Sequence, residues 1–123
     1  MEHVPDYQLC VALRELGFPQ EGGKYYWVLY EGNNRTIIDL QPRNNIRNIE
    51  IVDLFRAPTV EELQMSLPPN IFVYREGNKI HCRYNNDNIM TMTYNGNNMA
   101  YALSVILIWL VKDSYMVFNK SIS

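Results

Sequence analysis

The side chains able to do chemistry are few and scattered. Among 123 residues there are two histidines, His3 and His81, and two cysteines, Cys10 and Cys82. A zinc site needs several such ligands at tight spacings, and these are widely separated, so no metal site is expected. Cys82 and His81 are neighbours in sequence. Adjacent residues of a strand point to opposite faces, however, and a nucleophile with its base must share one side. Cys10 lies on a helical period with Leu9, Leu13 and Leu16 and reads as a small core hydrophobe. Both thiols read as reduced, because secreted disulfide scaffolds use more cysteines. Paired carboxylates for acid–base work would come from Asp39, Glu50, Asp53, Glu61 or Glu62. Glu61 and Glu62 fit the first turn of a helix, where negative charge complements the helix dipole. The other three border loops and read as solvated edges. There is no P-loop, dinucleotide fingerprint or nucleophile elbow. The expectation is a non-catalytic chain with no metal and no cofactor.

Binding surfaces are better supplied. Lys79, His81 and Arg83 alternate with Ile80, Cys82 and Tyr84, so the basic trio shares one face of a strand and the apolar trio the other. With Tyr74 nearby, that wet face has the residue types that track a nucleic-acid single strand by charge and stacking. A charged sheet face that discourages edge-to-edge aggregation needs no ligand, and is the ordinary reading. A second cluster is Tyr25, Tyr26, Trp27 and Tyr30, with Arg35, Arg43, Arg47 and Arg56 around the polar loop that follows. Alternation puts Tyr25 and Trp27 on one face, Tyr26 and Tyr30 on the other, and one pair is expected to be partly exposed. Tyrosine with arginine is typical of protein interfaces, which makes Tyr26, Tyr30, Arg43 and Arg47 the candidate partner surface. The alternative is a set of tyrosines sheltering the core with wet hydroxyls.

These residues must be carried by a single domain. The chain is 47% hydrophobic with a formal net charge of −2. That length suffices for one core, and that charge argues against a surface built wholly around phosphates. Pro5 and Asp6 suit a helix start and Gly17 its end. Lys24 to Glu31 and Arg35 to Leu40 read as a hairpin, Gln41 to Asn48 as an exposed loop, and Ile49 to Phe55 as a strand. Thr59 and Glu62 form a capping-box signature, and Pro68-Pro69 stops that helix after about two turns. Ile71 to Glu76, Lys79 to Tyr84 and Ile89 to Tyr94 read as a meander, with Asn95 to Asn98 turning into a last helix.

Met99 to Val111 is uncharged and followed at once by Lys112 and Asp113. A bilayer needs roughly 20 apolar residues in a helix, so this run reads as a buried helix that the rest of the chain must wrap. Trp109 and Leu110 are expected to be heavily buried in it. Each half also pairs a helix with an aromatic hairpin, although lengths and residues do not match well enough to make a repeat. The fold expected is α+β: a mainly antiparallel sheet, a buried C-terminal helix on its dry face, and two shorter helices packed around it.

Three segments carry a resemblance. Tyr7 to Gln20 with Tyr25-Tyr26-Trp27, the Ala-Pro-Thr-Val-Glu-Glu-Leu run from Ala57 to Leu63, and the final helix Ala102 to Lys112 resemble small uncharacterised proteins encoded by bacteriophages and prophages. Where those proteins often carry acidic residues before the last helix, this chain has Asn97 and Asn98. The resemblance implies a phage-related accessory protein and supplies no catalytic residue. The partner implied is a host or phage protein, with inhibition of a host defence system as the expected role. The beginning Met-Glu-His-Val-Pro-Asp lacks a basic region followed by an apolar stretch, so the host cytoplasm is the expected location and no membrane is expected as partner.

Overall fold

The computed structural model describes residues 4–32, 35–46, 51–93 and 99–118. The chain is α+β. Its elements run α1 (Tyr7–Glu15), β1 (Tyr25–Gly32), β2 (Arg35–Pro42), a 3-10 turn at Arg43–Asn45, β3 (Ile51–Arg56), α2 (Val60–Met65), β4 (Ile71–Glu76), β5 (Lys79–Tyr84), β6 (Asp87–Thr93) and α3 (Met99–Lys112). The expected segments Arg47 to Glu50 and Tyr94 to Asn98 lie outside the described residues.

Local chemistry sets the helix ends. The Asp6 side chain accepts from the Leu9 amide at 2.9 Å and caps α1. Gly17, at a φ of +98°, closes the same helix in a Schellman turn: the Phe18 amide donates to Leu13 O and the Gly17 amide to Arg14 O. At α2 the capping box is complete, with Glu62 N donating to Thr59 Oγ1 at 3.2 Å and Thr59 N to Glu62 Oε1 at 2.9 Å.

The strands divide into two antiparallel three-stranded sheets, ordered β2-β1-β3 and β4-β5-β6, rather than lining up in one. The reason lies in α3, which is apolar nearly all round and needs cover on more than one side. Ala102, Ile106 and Leu110 pack on the second sheet against Ile71, Ile80 and Cys82. Ala100, Leu103 and Leu107 pack on the other side against Leu13 of α1, Leu63 of α2, Phe18 and Phe118. Helix α1 in turn reaches the first sheet, where Cys10 joins Phe55 and Ala57, with Tyr25, Trp27 and Leu40 around them. The order through the molecule is first sheet, α1, α3, second sheet. Ser104, fully buried in α3, is satisfied by donating to Ala100 O at 2.7 Å.

One expectation is corrected here. Leu110 is fully buried, but Trp109 is only partly so, its ring stacked on Tyr115 at 5.4 Å. The apparent echo between halves stops at element order. The first strand of its set is central in one sheet, and the second strand is central in the other.

Candidate functional site

Of the partner surface drawn from Tyr26, Tyr30, Arg43 and Arg47, the three members among the described residues do not come together. Tyr26 is buried, because the Gln20–Gly23 segment folds over it: its hydroxyl donates to Gln20 O at 2.7 Å and accepts from Gly23 N at 3.2 Å. It presents nothing to a partner. Arg43 is exposed beside Lys24, whose carbonyl accepts from the Arg43 amide at 2.8 Å. Tyr30 is half-buried at the far end of β1, paired with Ile37 and, past a bulge, with Ile51. Six residues separate it from Lys24, about 20 Å at the rise of a strand. Arg47 lies outside the described residues.

Arg56, expected at the rim of the polar loop, is drawn inward. Its Nη2 pairs with Glu62 Oε2 at 3.2 Å, Nη1 donates to Pro19 O and Glu21 O, and the guanidinium lies over the Phe18 ring at 5.2 Å. It clamps the segment after α1 to the N-terminus of α2. Arg14 is used similarly, bonded to Asp53 at 2.8 Å and to Leu54 O at 3.0 Å. The Arg14 hydrogen bond holds the Asp53 carboxyl below the usual aspartate value. Burial pushes the Cys10 thiol up to about 12 and the Cys82 thiol to about 11, so both are neutral near pH 7 and neither is a ready nucleophile. Both are free thiols. Asp39 accepts from Gln41 across one strand end, and Glu50 lies outside the described residues.

The second basic set does come together. On the outward face of the second sheet, three rows of directly opposed residues run Phe72–Arg83–Asn88, Tyr74–His81–Thr91 and Glu76–Lys79–Thr93. The opposite face turns Ile80 and Cys82 into the core, as the alternation requires. A bulge on β6 opposite Cys82 and Arg83 lets Ile89 and Met90 both pack toward α3 while Asn88 joins the outward face. Phe72 is 58% exposed and Tyr74 41%. Tyr74 stacks on the His81 ring with centroids 5.0 Å apart. His81 Nδ1 lies 3.0 Å from Thr91 Oγ1 and Nε2 3.5 Å from Glu76 Oε1, so the imidazole is fixed from both sides. Among the described residues Arg83 makes one hydrogen bond, Nη2 to Asn86 O at 2.9 Å, and its Nε is buried with no acceptor. Neither Lys79 nor Arg83 has an ion-pair partner among them.

Phe72 is the member of this face that the sequence reading did not single out. It sits inside the apolar run Ile71-Phe72-Val73, which looks like core. The signal was its spacing of two from Tyr74, which puts both on one side of a strand. Among the described residues no group of three His, Cys, Asp or Glu side chains could hold a metal ion, and no helix is long and apolar enough to cross a membrane. The fold and this open sheet face define a small α+β protein with an aromatic and basic sheet surface among the described residues. No family model, curated protein or solved structure matches the chain.

Proposed function

We propose that the protein binds single-stranded nucleic acid on the outward face of its second sheet. The observation that carries this reading is the coincidence, on one face, of two exposed aromatic rings with two cations, Lys79 and Arg83, that have no ion-pair partner among the described residues. Aromatic faces stack on bases of any identity, and cations follow the phosphates. Tyr74, Lys79, His81 and Arg83 take part together with Phe72. Fluorescence anisotropy with an oligothymidine of about fifteen nucleotides tests it. If Lys79 and Arg83 each neutralise one phosphate, the logarithm of affinity falls with the logarithm of salt with a slope of about −1.4. Lys79→Ala then flattens that slope by about 0.7. Absence of salt-dependent binding refutes the reading.

A second reading keeps a polypeptide partner from a phage or its host, with inhibition of a defence system as the role. Its support is a separate apolar groove lined by Leu67, Pro68, Pro69 and Tyr115, where Met65 is 85% exposed and Val117 76%. A host protein retained by the wild type and by Arg83→Glu, but lost with the double variant Met65→Glu and Val117→Glu, speaks for this reading. Equal retention by all of these forms removes it.

A further inference from the structure

We infer that the sheet face takes two consecutive bases of a single strand, one on Phe72 and the next on Tyr74, and that Glu76 ends the site; this rests on the single-strand reading above. Phe72 and Tyr74 stand two residues apart on β4, an edge strand of its sheet, so their rings lie on the same side about 7 Å apart. In a duplex strand, successive bases rise about 3.4 Å. Adjacent bases cannot stay stacked on each other and also cover both rings. They must be splayed, which a single strand allows and a paired one does not.

The two platforms differ in preparation. The inner side of the Tyr74 ring rests on His81, which Glu76 and Thr91 hold in place, and this leaves its outer side to the ligand. No ring among the described residues stacks on Phe72, which is the more exposed of the two. Directly opposite Phe72 is Arg83, which among the described residues makes one hydrogen bond and whose Nε is buried without an acceptor. That Nε lies out of a ligand's reach, and it is the charge of the guanidinium beside the first base that suits the phosphate linking it to the second. Beyond Tyr74 the next outward residue on β4 is Glu76, whose side chain is 79% exposed. Its carboxylate repels a third phosphate, so the row of contacts stops there.

The test is a length series of thymidine single strands, from the dinucleotide to the octanucleotide, measured beside a strand of about fifteen nucleotides and its uridine counterpart. Per-site affinity is expected to rise no further beyond the trinucleotide. Phe72→Leu and Tyr74→Leu should each weaken binding of the long strand about ten-fold, whereas Tyr74→Phe should leave it within about two-fold. Glu76→Gln should add a gain on passing from the trinucleotide to the tetranucleotide, where wild type shows none. The thermal melt of each variant checks that the exposed substitution leaves the fold intact. If the long strands bind but affinity climbs with every nucleotide to eight, or both leucine variants bind like wild type, the two-base site is wrong and the single-strand reading survives. If neither the thymidine nor the uridine long strand binds, that reading falls and the two-base site falls with it.

Discussion

The two sheets hold similar side chains and use them in opposite ways. At the first, Arg14 lies over Phe55 at 4.4 Å and bonds Asp53 and Leu54, while Arg56 lies over Phe18, bonds two carbonyls and pairs with Glu62. At the second, Arg83 stands opposite Phe72 with one carbonyl as its acceptor. An arginine beside an aromatic ring is thus no sign of a binding surface by itself. What separates the two regions is whether a carboxylate already pairs with the guanidinium, since a buried Nε without an acceptor is common to Arg56 and Arg83. Arg14 and Arg56 fasten α1 and α2 to the first sheet, whereas on the second Lys79 is exposed and Arg83 half-buried, neither with an ion-pair partner among the described residues.

The largest effect should come from breaking the element that keeps the sheets apart. Ile106 is fully buried between α3 and the second sheet, and Ile106→Asp leaves an unpaired charge where nothing can solvate it. That cost approaches the whole stability of a domain of this size, about 5–15 kcal/mol, so loss of near-ultraviolet circular dichroism is expected. A folded variant would show that the helix is less enclosed than its contacts indicate.

Next in size is the paired substitution that contrasts the two arginines directly. Arg56 and Glu62 have side chains only 13% and 15% exposed, and Arg56→Ala leaves the Glu62 carboxylate without its cation, holding only the Thr59 amide. A loss of about 3 kcal/mol is expected in urea unfolding. Arg83→Ala breaks one exposed hydrogen bond and should change stability by less than about 1 kcal/mol while weakening single-strand binding. Equal stability losses at the two positions would dissolve the distinction.

A smaller effect is carried by pH. The Asp53 carboxyl titrates below its ordinary value in the folded state, chiefly through the Arg14 hydrogen bond. A depressed carboxylate contributes stability that is fully present above the unfolded value near 3.8 and is lost as the pH falls through the folded value. Because both side chains are more than a third exposed, solvent screening keeps the contribution under about 1 kcal/mol. Stability curves of wild type and Asp53→Asn should therefore converge in acid below pH 4. Curves that stay parallel would assign the lowered titration to something other than folding.

Legibility in the sequence follows the range of the interaction. The capping box at Thr59 and Glu62, the Gly17 turn and the alternation from Lys79 to Tyr84 depend on residues a few positions apart, and each is where the residue types require it. The buried last helix was equally plain, because a run without charges has no side to show to water. Partnership between strands joined by a short turn was legible, as the β1–β2 hairpin and the β4-β5-β6 meander show, but the placing of β3 beside β1 and the division into two sheets were not. Alternation says which face a residue takes and nothing about which sheet its strand joins, so the split into two sheets had no local signal. Arg56 and Tyr26 were misread for the same reason. Their partners at Pro19, Glu21 and Gln20 are brought to them by the turn after α1, and composition around the polar loop cannot register it. At the sheet face, His81 and Arg83 followed from spacing, and Phe72 could have followed from its spacing of two from Tyr74 but was masked by its apolar neighbours Ile71 and Val73.

The smallest expected effect concerns the link that follows α3 and supports one end of the second sheet. Ser114 adopts a φ of +65° in a Schellman turn, with its amide donating to Val111 O and the Tyr115 amide to Leu110 O. That turn delivers Tyr115 to Trp109, on which it stacks, and to Tyr84 at the end of β5, whose ring it meets at 5.5 Å. A serine in the left-handed region carries a steric cost of about 1–2 kcal/mol that glycine does not. Glycine also gives the unfolded chain more freedom, which offsets part of the gain. Ser114→Gly should therefore stabilise the domain by about 0.5 kcal/mol. The same change at Asn86, at a φ of +72° between β5 and β6, should yield less, because asparagine already tolerates this conformation. A Ser114→Gly protein no more stable than wild type, with Asn86→Gly clearly more so, would mean that the β5–β6 turn, not the turn after α3, holds the strain of the second sheet.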